Sequence, residues 1–253
     1  MRTLSSALLA VCMLLALCMP GAAEMLDLSK LGEIEEAQMI EETAWTYPIP
    51  YELLKTSDYL VLVNRDNLLP EDYVPVDLVD DLTCRKVSYD KIQMRETAAD
   101  ALAVMFDAAK EDGITLYAHS GYRSYRTQKT MYYNRLQSNN GKDDGVVQYP
   151  GASEHQTGLT IDIINKSGIG KRFTNAFAET KEGKWVAEHC WDYGFIIRYQ
   201  EEKREITQIA PESWHLRYVG VQVAQYMRDR NLCLEEFTEE WKEAVAEYEA
   251  AGK

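Results

Sequence analysis

Ser153-Glu154-His155-Gln156-Thr157-Gly158-Leu159-Thr160-Ile161-Asp162 and Glu212-Ser213-Trp214-His215 are the stretches from which the fold of this chain is read. They lie about fifty residues apart and use two of the chain's four histidines. The first passes from a loop into the apolar run Leu159 to Ile164, a core-strand pattern interrupted by Asp162. A carboxylate buried unpaired in such a run is costly, so Asp162 must meet a cation, a set of donors or a metal. His155 stands seven residues upstream, where the loop can fold back over the strand end. If His155, Asp162 and His215 converge, they form a two-nitrogen, one-oxygen set with a coordination position left open, which suits zinc. Such an ion acidifies water toward neutrality, and Glu212, three residues before His215, is placed to act as its base. Taken singly, each histidine reads as a packed or loop side chain and Glu212 as an exposed carboxylate. The joint pattern points to a metal-dependent hydrolase.

Working outward, Ser120-Gly121-Tyr122-Arg123-Ser124 falls where a strand pattern passes into a helix pattern. Arg123 there can present its fork of donors to a carboxylate or a developing oxyanion, or can serve as a capping or surface arginine. Gln128, about one helical turn beyond Ser124, adds a neutral hydrogen-bonding group to the same element. His119 and His189 read as packed or hydrogen-bonded side chains. Gly168-Ile169-Gly170 reads as a turn, since it lacks the glycine-lysine ending of a phosphate loop.

The chain of 253 residues opens with Arg2, an apolar run from Ala7 to Leu17 and the small-residue stretch Gly21-Ala22-Ala23. That is the pattern of a secretory signal segment at 1–23, which if uncleaved would serve as an N-terminal anchor. No later segment reads as a membrane span, so the expected location is secreted or extracytoplasmic, in association with the cell envelope. Residues 24–58 read as an acidic tether or N-terminal extension and 59–253 as one catalytic domain. The formal charge of −14 argues against a nucleic-acid partner. Outside the signal, Cys84, Cys190 and Cys233 form neither a disulfide framework nor a cysteine-rich zinc module, with one disulfide left open in an oxidising compartment.

Within the domain, Tyr59 to Asn64 reads as a strand, Lys91 to Lys110 as a helix with one buried stripe, and Ile114 to Ala118 as a strand. Ser124 caps a helix reaching about Leu136, with Met131 and Leu136 facing inward, and Ser138 to Gly151 is a long loop. Two further helices are expected around Lys171 to Thr180 and Val186 to Trp191, separated by Gly183. Phe195 to Arg198 and Trp214 to Tyr218 read as strands, and Val219 to Arg230 and Leu234 to Ala250 as helices. Helices and short strands without a regular βα repeat predict an α+β domain.

Four motifs in order, Ser120-Gly121-Tyr122-Arg123-Ser124, Ser153-x-His155-x-x-Gly158-x-x-x-Asp162, Trp191-x-Tyr193-Gly194-Phe195 and Glu212-x-Trp214-His215-x-Arg217-Tyr218-Val219-Gly220, resemble those of the VanY-type D-alanyl-D-alanine carboxypeptidases. The segment from Leu62 to Pro75 resembles the start of their domain, and the likeness runs from about Tyr59 to Leu232. It implies the small zinc D,D-peptidase and hedgehog-like fold, with a short, mostly antiparallel sheet flanked by helices. It further implies Zn²⁺ held by His155, Asp162 and His215, Glu212 as catalytic base and Arg123 steadying substrate charge. Ser153 and Gln128 match positions that help hold the substrate's terminal carboxylate. The implied partners are peptidoglycan stem peptides ending in D-alanine. Thr160 stands where alanine is commoner in the family. Two alternatives stay open on this reading: an L,D-carboxypeptidase acting on tetrapeptide stems, and a cell-wall peptide-binding module without turnover.

Overall fold

The computed structural model describes residues 45–88 and 90–251. The signal segment expected at 1–23 and the tether from residue 24 to 44 lie outside the described residues. One compact unit runs from Tyr47. Helix α1 (Tyr51–Thr56) belongs to it, with Ile49 and Leu54 buried and the Tyr51 hydroxyl donating to Glu249 Oε1 at 2.8 Å.

The sheet, in the order β1-β2-β4-β3, is antiparallel throughout and is formed by β1 (Tyr117–Ser120), β2 (Thr160–Ile164), β3 (Phe195–Tyr199) and β4 (Glu212–Tyr218). Thr160-Ile161-Asp162-Ile163-Ile164 is rich in β-branched residues and buried on both faces, which places β2 inside the sheet. Side chains alternate across a strand, so Ile161 and Ile163 join the apolar core while Thr160 and Asp162 share the other face. The register sets Asp162 opposite His215 and Thr160 opposite Arg217. The two halves of the expected metal set are therefore cross-strand neighbours.

The helices are α2 (Glu96–Glu111), α3 (Tyr125–Ser138), α4 (Lys181–His189), the single turn α5 (Arg204–Thr207), α6 (Val221–Arg230) and α7 (Leu234–Ala250). Helix α2 buries Ala98, Leu102, Met105, Phe106 and Ala109, and α6 packs on β3 and on the turn Cys190–Tyr193. No helix among the described residues is long and apolar enough to cross a membrane.

Several elements differ from the sequence reading, each for a visible reason. Tyr59 to Asn64 is not a strand: Asp58–Leu60 is a 3₁₀ turn, and the carbonyls of Tyr59 and Val61 accept from the Arg217 guanidinium instead of a neighbouring strand. Residues 91–95 precede α2 as extended chain, because Val79 and Leu82 donate to Met94 and Ile92, and Arg95 N donates to Gly158 O. Strand β1 starts later than Ile114. The helix expected over Lys171 to Thr180 is a 3₁₀ turn, Asn175–Glu179, and Gly183 sits inside α4, where its amide donates to the capping Thr180 Oγ1. Ser124 caps α3 as expected, accepting from Thr127 N at 3.2 Å. The buried face of α3 holds Gln128 and Tyr132, whereas Met131 is 38% exposed and Leu136 is half-buried. Apolar periodicity misplaced that face because its inward residues are polar. Cys84, Cys190 and Cys233 are free thiols.

Candidate metal centre and active site

Short segments meet on the face of β2 and β4 that carries Asp162 and His215. A 3₁₀ turn, Glu154–Thr157, carries His155 and ends at Gly158, whose φ of 69° lies in the left-handed region. An added Cβ there would lie 2.9 Å from Leu78 Cδ2 and 3.0 Å from Arg95 Cγ, so the turn into β2 requires glycine for both space and dihedral. Gly121, just after β1, lies against the backbone of Gln93 with no room for a Cβ, and its carbonyl is 2.8 Å from His155 Nδ1. That contact is made by an Nδ1–H donor, which leaves Nε2 of His155 free and aimed at the site.

His155 Nε2 lies 3.4 Å from Asp162 Oδ2, and His215 Nδ1 lies 3.2 Å from Asp162 Oδ1. One ligand atom from each of the three residues falls within 4.8 Å of the others, and all three side chains are buried. The imidazoles stand edge to face with centroids 5.1 Å apart, and the Tyr199 ring lies 4.9 Å from His215 on another side. Glu212 Oε2 approaches His215 Nδ1 to 3.4 Å, so its carboxylate borders the same space.

Electrostatics test whether an ion fits. Burial lowers the pKa of His155 and Arg123 lowers it further, against Asp162, which favours the neutral ligand form. Burial would raise Asp162, but the two histidines outweigh it and hold the carboxyl well below its usual range. At His215 burial is likewise outweighed: the neighbouring carboxylates of Asp162, Glu154 and Glu212 raise its pKa to about 9. Asp162 Oδ1 is buried and makes no hydrogen bond. A buried acceptor without a donor, two inward imidazole nitrogens and excess negative charge are what a divalent cation satisfies, so the donor set fits zinc. Glu212 has its pKa raised by burial and by Asp162, against His215 and Arg123, which makes it a stronger base than an exposed carboxylate.

Arg123 Nη1 donates to Gln128 Oε1 at 2.8 Å and Nη2 to Ser120 Oγ at 3.2 Å, while its backbone N donates to His155 O at 3.1 Å. Gln128 is 1% exposed, and its Nε2 donates to Gln148 O at 2.6 Å. Both ends of that amide are thus engaged, tying Arg123 to the loop after α3. Ser153 is buried immediately before the turn that carries His155. His119 stands edge-on to Phe173, which stacks on Trp214, and His189 lies against Trp185, so neither joins the metal set.

The sequence reading missed what stands behind His215. Glu154, Arg198 and Arg217 have fully buried side chains. Glu154 Oε1 accepts from Arg198 Nε and Arg217 Nη1, both at 2.8 Å, and Arg198 makes a two-pronged pair with Glu235 at 2.6 and 2.8 Å. Burial would raise Glu154, yet Arg198, Arg217 and His215 keep it ionised with a strongly depressed pKa. The available signals were the two-residue spacing of His215 and Arg217 on one strand face, and Arg198 at the end of the apolar run Phe195-Ile196-Ile197.

A family model described as VanY: D-alanyl-D-alanine carboxypeptidase matches residues 91–221. The Bacillus subtilis (strain 168) protein YodJ is 47% identical over 188 residues, which are 72% of this chain and 68% of that protein. The solved LdcB LD-carboxypeptidase is similar with a TM-score of 0.68 and 46% identity, covering 72% of this chain and 86% of LdcB. A vancomycin-resistance D,D-pentapeptidase VanY solved with Zn(II) gives a TM-score of 0.56 at 30% identity, over 71% of this chain and 98% of that one.

Proposed function

Since the chain belongs to the VanY family of D-alanyl-D-alanine carboxypeptidases, we propose that it removes the C-terminal D-alanine from peptidoglycan stem peptides by zinc-dependent hydrolysis. The observation that carries this reading is the convergence of His155, Asp162 and His215 with Glu212 3.4 Å from His215 Nδ1. His155, Asp162 and His215 would hold the zinc, which when bound would supply Lewis acidity to the scissile carbonyl and acidify water. Glu212 takes the proton of the attacking water and returns it to the amine of the departing D-alanine as the C–N bond breaks. Arg123, its fork held by Gln128 and Ser120, offsets negative charge on the terminal carboxylate or the developing oxyanion. Ser153 adds a hydrogen-bonding group beside His155. Gln128 acts chiefly on Arg123, since its carbonyl and amide ends are already engaged there and at Gln148. The proposed substrate and the N-terminal signal pattern support a location outside the cytoplasm, at the cell envelope.

The 46% identity to an LD-carboxypeptidase favours a second reading within the same chemistry, in which the substrate is the tetrapeptide stem. The purified protein, incubated separately with pentapeptide stems ending in D-Ala-D-Ala and with tetrapeptide stems, is assayed for free D-alanine. Release from the pentapeptide supports the D,D reading and release from the tetrapeptide alone the L,D reading. Release from neither overturns both. Glu212→Gln is expected to bind zinc normally and lose about 10²–10⁴-fold in kcat; unchanged hydrolysis would remove Glu212 from the role of base.

A further inference from the structure

We infer that Glu154, clamped at Oε1 by two buried arginines, is a positioning residue that fixes the ring orientation of His215 for metal binding; this rests on the zinc site proposed above. His215 Nδ1 faces Asp162 and Glu212, so its Nε2 points away from the ion site, toward Glu154 Oε2 at 3.7 Å. Both of these atoms are buried, and neither makes a hydrogen bond elsewhere. An orphaned buried donor or acceptor costs about 1–3 kcal/mol, so two such atoms facing each other are stable only as a pair, with Nε2–H directed at the carboxylate.

The remainder of the carboxylate is committed to that task. Both guanidinium groups bind Oε1, leaving Oε2 for the imidazole. Arg198 is anchored in turn by Glu235, and Arg217 by the carbonyls of Tyr59, Val61 and Tyr218, so Glu154 has little freedom to move. A carboxylate accepting from the outer nitrogen of a metal-bound histidine fixes its tautomer and strengthens it as a ligand. The tautomer required, protonated at Nε2 and bare at Nδ1, is the one the Glu154 contact selects. His155 is served differently, by the Gly121 carbonyl at its Nδ1. The two imidazoles thus offer opposite nitrogens to one ion, each set by what lies behind it.

The test measures the zinc dissociation constant by chelator competition in wild type and Glu154→Gln, and the His215 tautomer by long-range ¹H–¹⁵N correlation in the zinc-loaded wild type. The expected results are a 10–100-fold weaker zinc affinity in the variant and, in the wild type, a proton on Nε2 with Nδ1 unprotonated. A folded Glu154→Gln protein that binds zinc as tightly as wild type overturns the inference, and so does a wild-type His215 protonated on Nδ1. If neutralising Glu154 between two arginines prevents folding, the wild-type tautomer alone decides. A wild type that binds no zinc overturns the zinc reading itself and the inference with it, an outcome distinct from a variant indifferent to the change.

Discussion

Replacing Arg217 with methionine removes one cation from the buried cluster while keeping an unbranched apolar stem in place. In the folded protein that guanidinium donates to Glu154 Oε1, Tyr59 O and Val61 O, each at 2.8 Å, and to Tyr218 O at 3.1 Å. At 2.8 Å and an effective dielectric near 20, its attraction to Glu154 is about 6 kcal/mol, much of it cancelled by the water stripped from both groups. The cost of the substitution is set by what remains: a buried carboxylate with one arginine instead of two, and backbone carbonyls without donors. Breaking a buried pair in this way costs about 3–5 kcal/mol. For a domain of this size that corresponds to a fall in Tm of about 6–20 °C. The comparison is Arg228→Met, which removes an exposed arginine 3.4 Å from Asp192 and should cost less than about 1 kcal/mol. Urea and thermal denaturation of both variants, zinc-loaded and after chelation, give the two values. An Arg217→Met protein no less stable than Arg228→Met would refute the claim that the cluster behind His215 is a coupled, desolvated unit.

Other consequences are open to separate measurement. Arg123→Lys cannot reproduce the two-armed contact with Gln128 and Ser120, so kcat/KM on stem peptides should fall about 10²-fold or more while zinc content is unchanged. Equal kcat/KM in the two proteins would remove Arg123 from the substrate's charged end. At Glu235 burial raises the pKa, but pairing with Arg198 outweighs it and the folded value lies below the ordinary 4.5. Its contribution to stability is therefore complete above pH 4.5 and is lost as pH falls through the folded pKa. Urea midpoints measured from pH 7 to pH 3 should fall more steeply in wild type than in Glu235→Gln, and parallel curves would contradict this. Gly158→Ala forces a Cβ against Leu78 and Arg95 at a positive φ, and should lower stability by more than about 1 kcal/mol in thermal melts.

The convergence of His155, Asp162 and His215 was legible in the sequence because its logic is local and chemical. Asp162 interrupts an apolar strand, and such an interruption demands a partner. The register that pairs it with His215 follows from two adjacent antiparallel strands. The helix α7 and the strands β2 and β4 were visible because length and apolar patterning agree there. Patterning failed where polar groups occupy the interior. Tyr59 to Val63 has a strand's composition, yet its carbonyls bind Arg217, and the inward face of α3 is defined by Gln128 and Tyr132 rather than by Met131. Glu154 was hidden for the same reason: a charge flanking a ligand reads as solvated until the arginines from β3 and β4 are seen to close over it. Long-range ion pairs leave little periodicity in a sequence.

The most direct test of the central claim is the zinc content of the purified protein, measured by elemental analysis after zinc supplementation and removal of excess metal, in wild type and in His215→Ala. The predicted result is close to one zinc per wild-type chain and almost none in the variant. A wild-type protein that retains no zinc, or a His215→Ala protein that retains as much as wild type, would contradict the account.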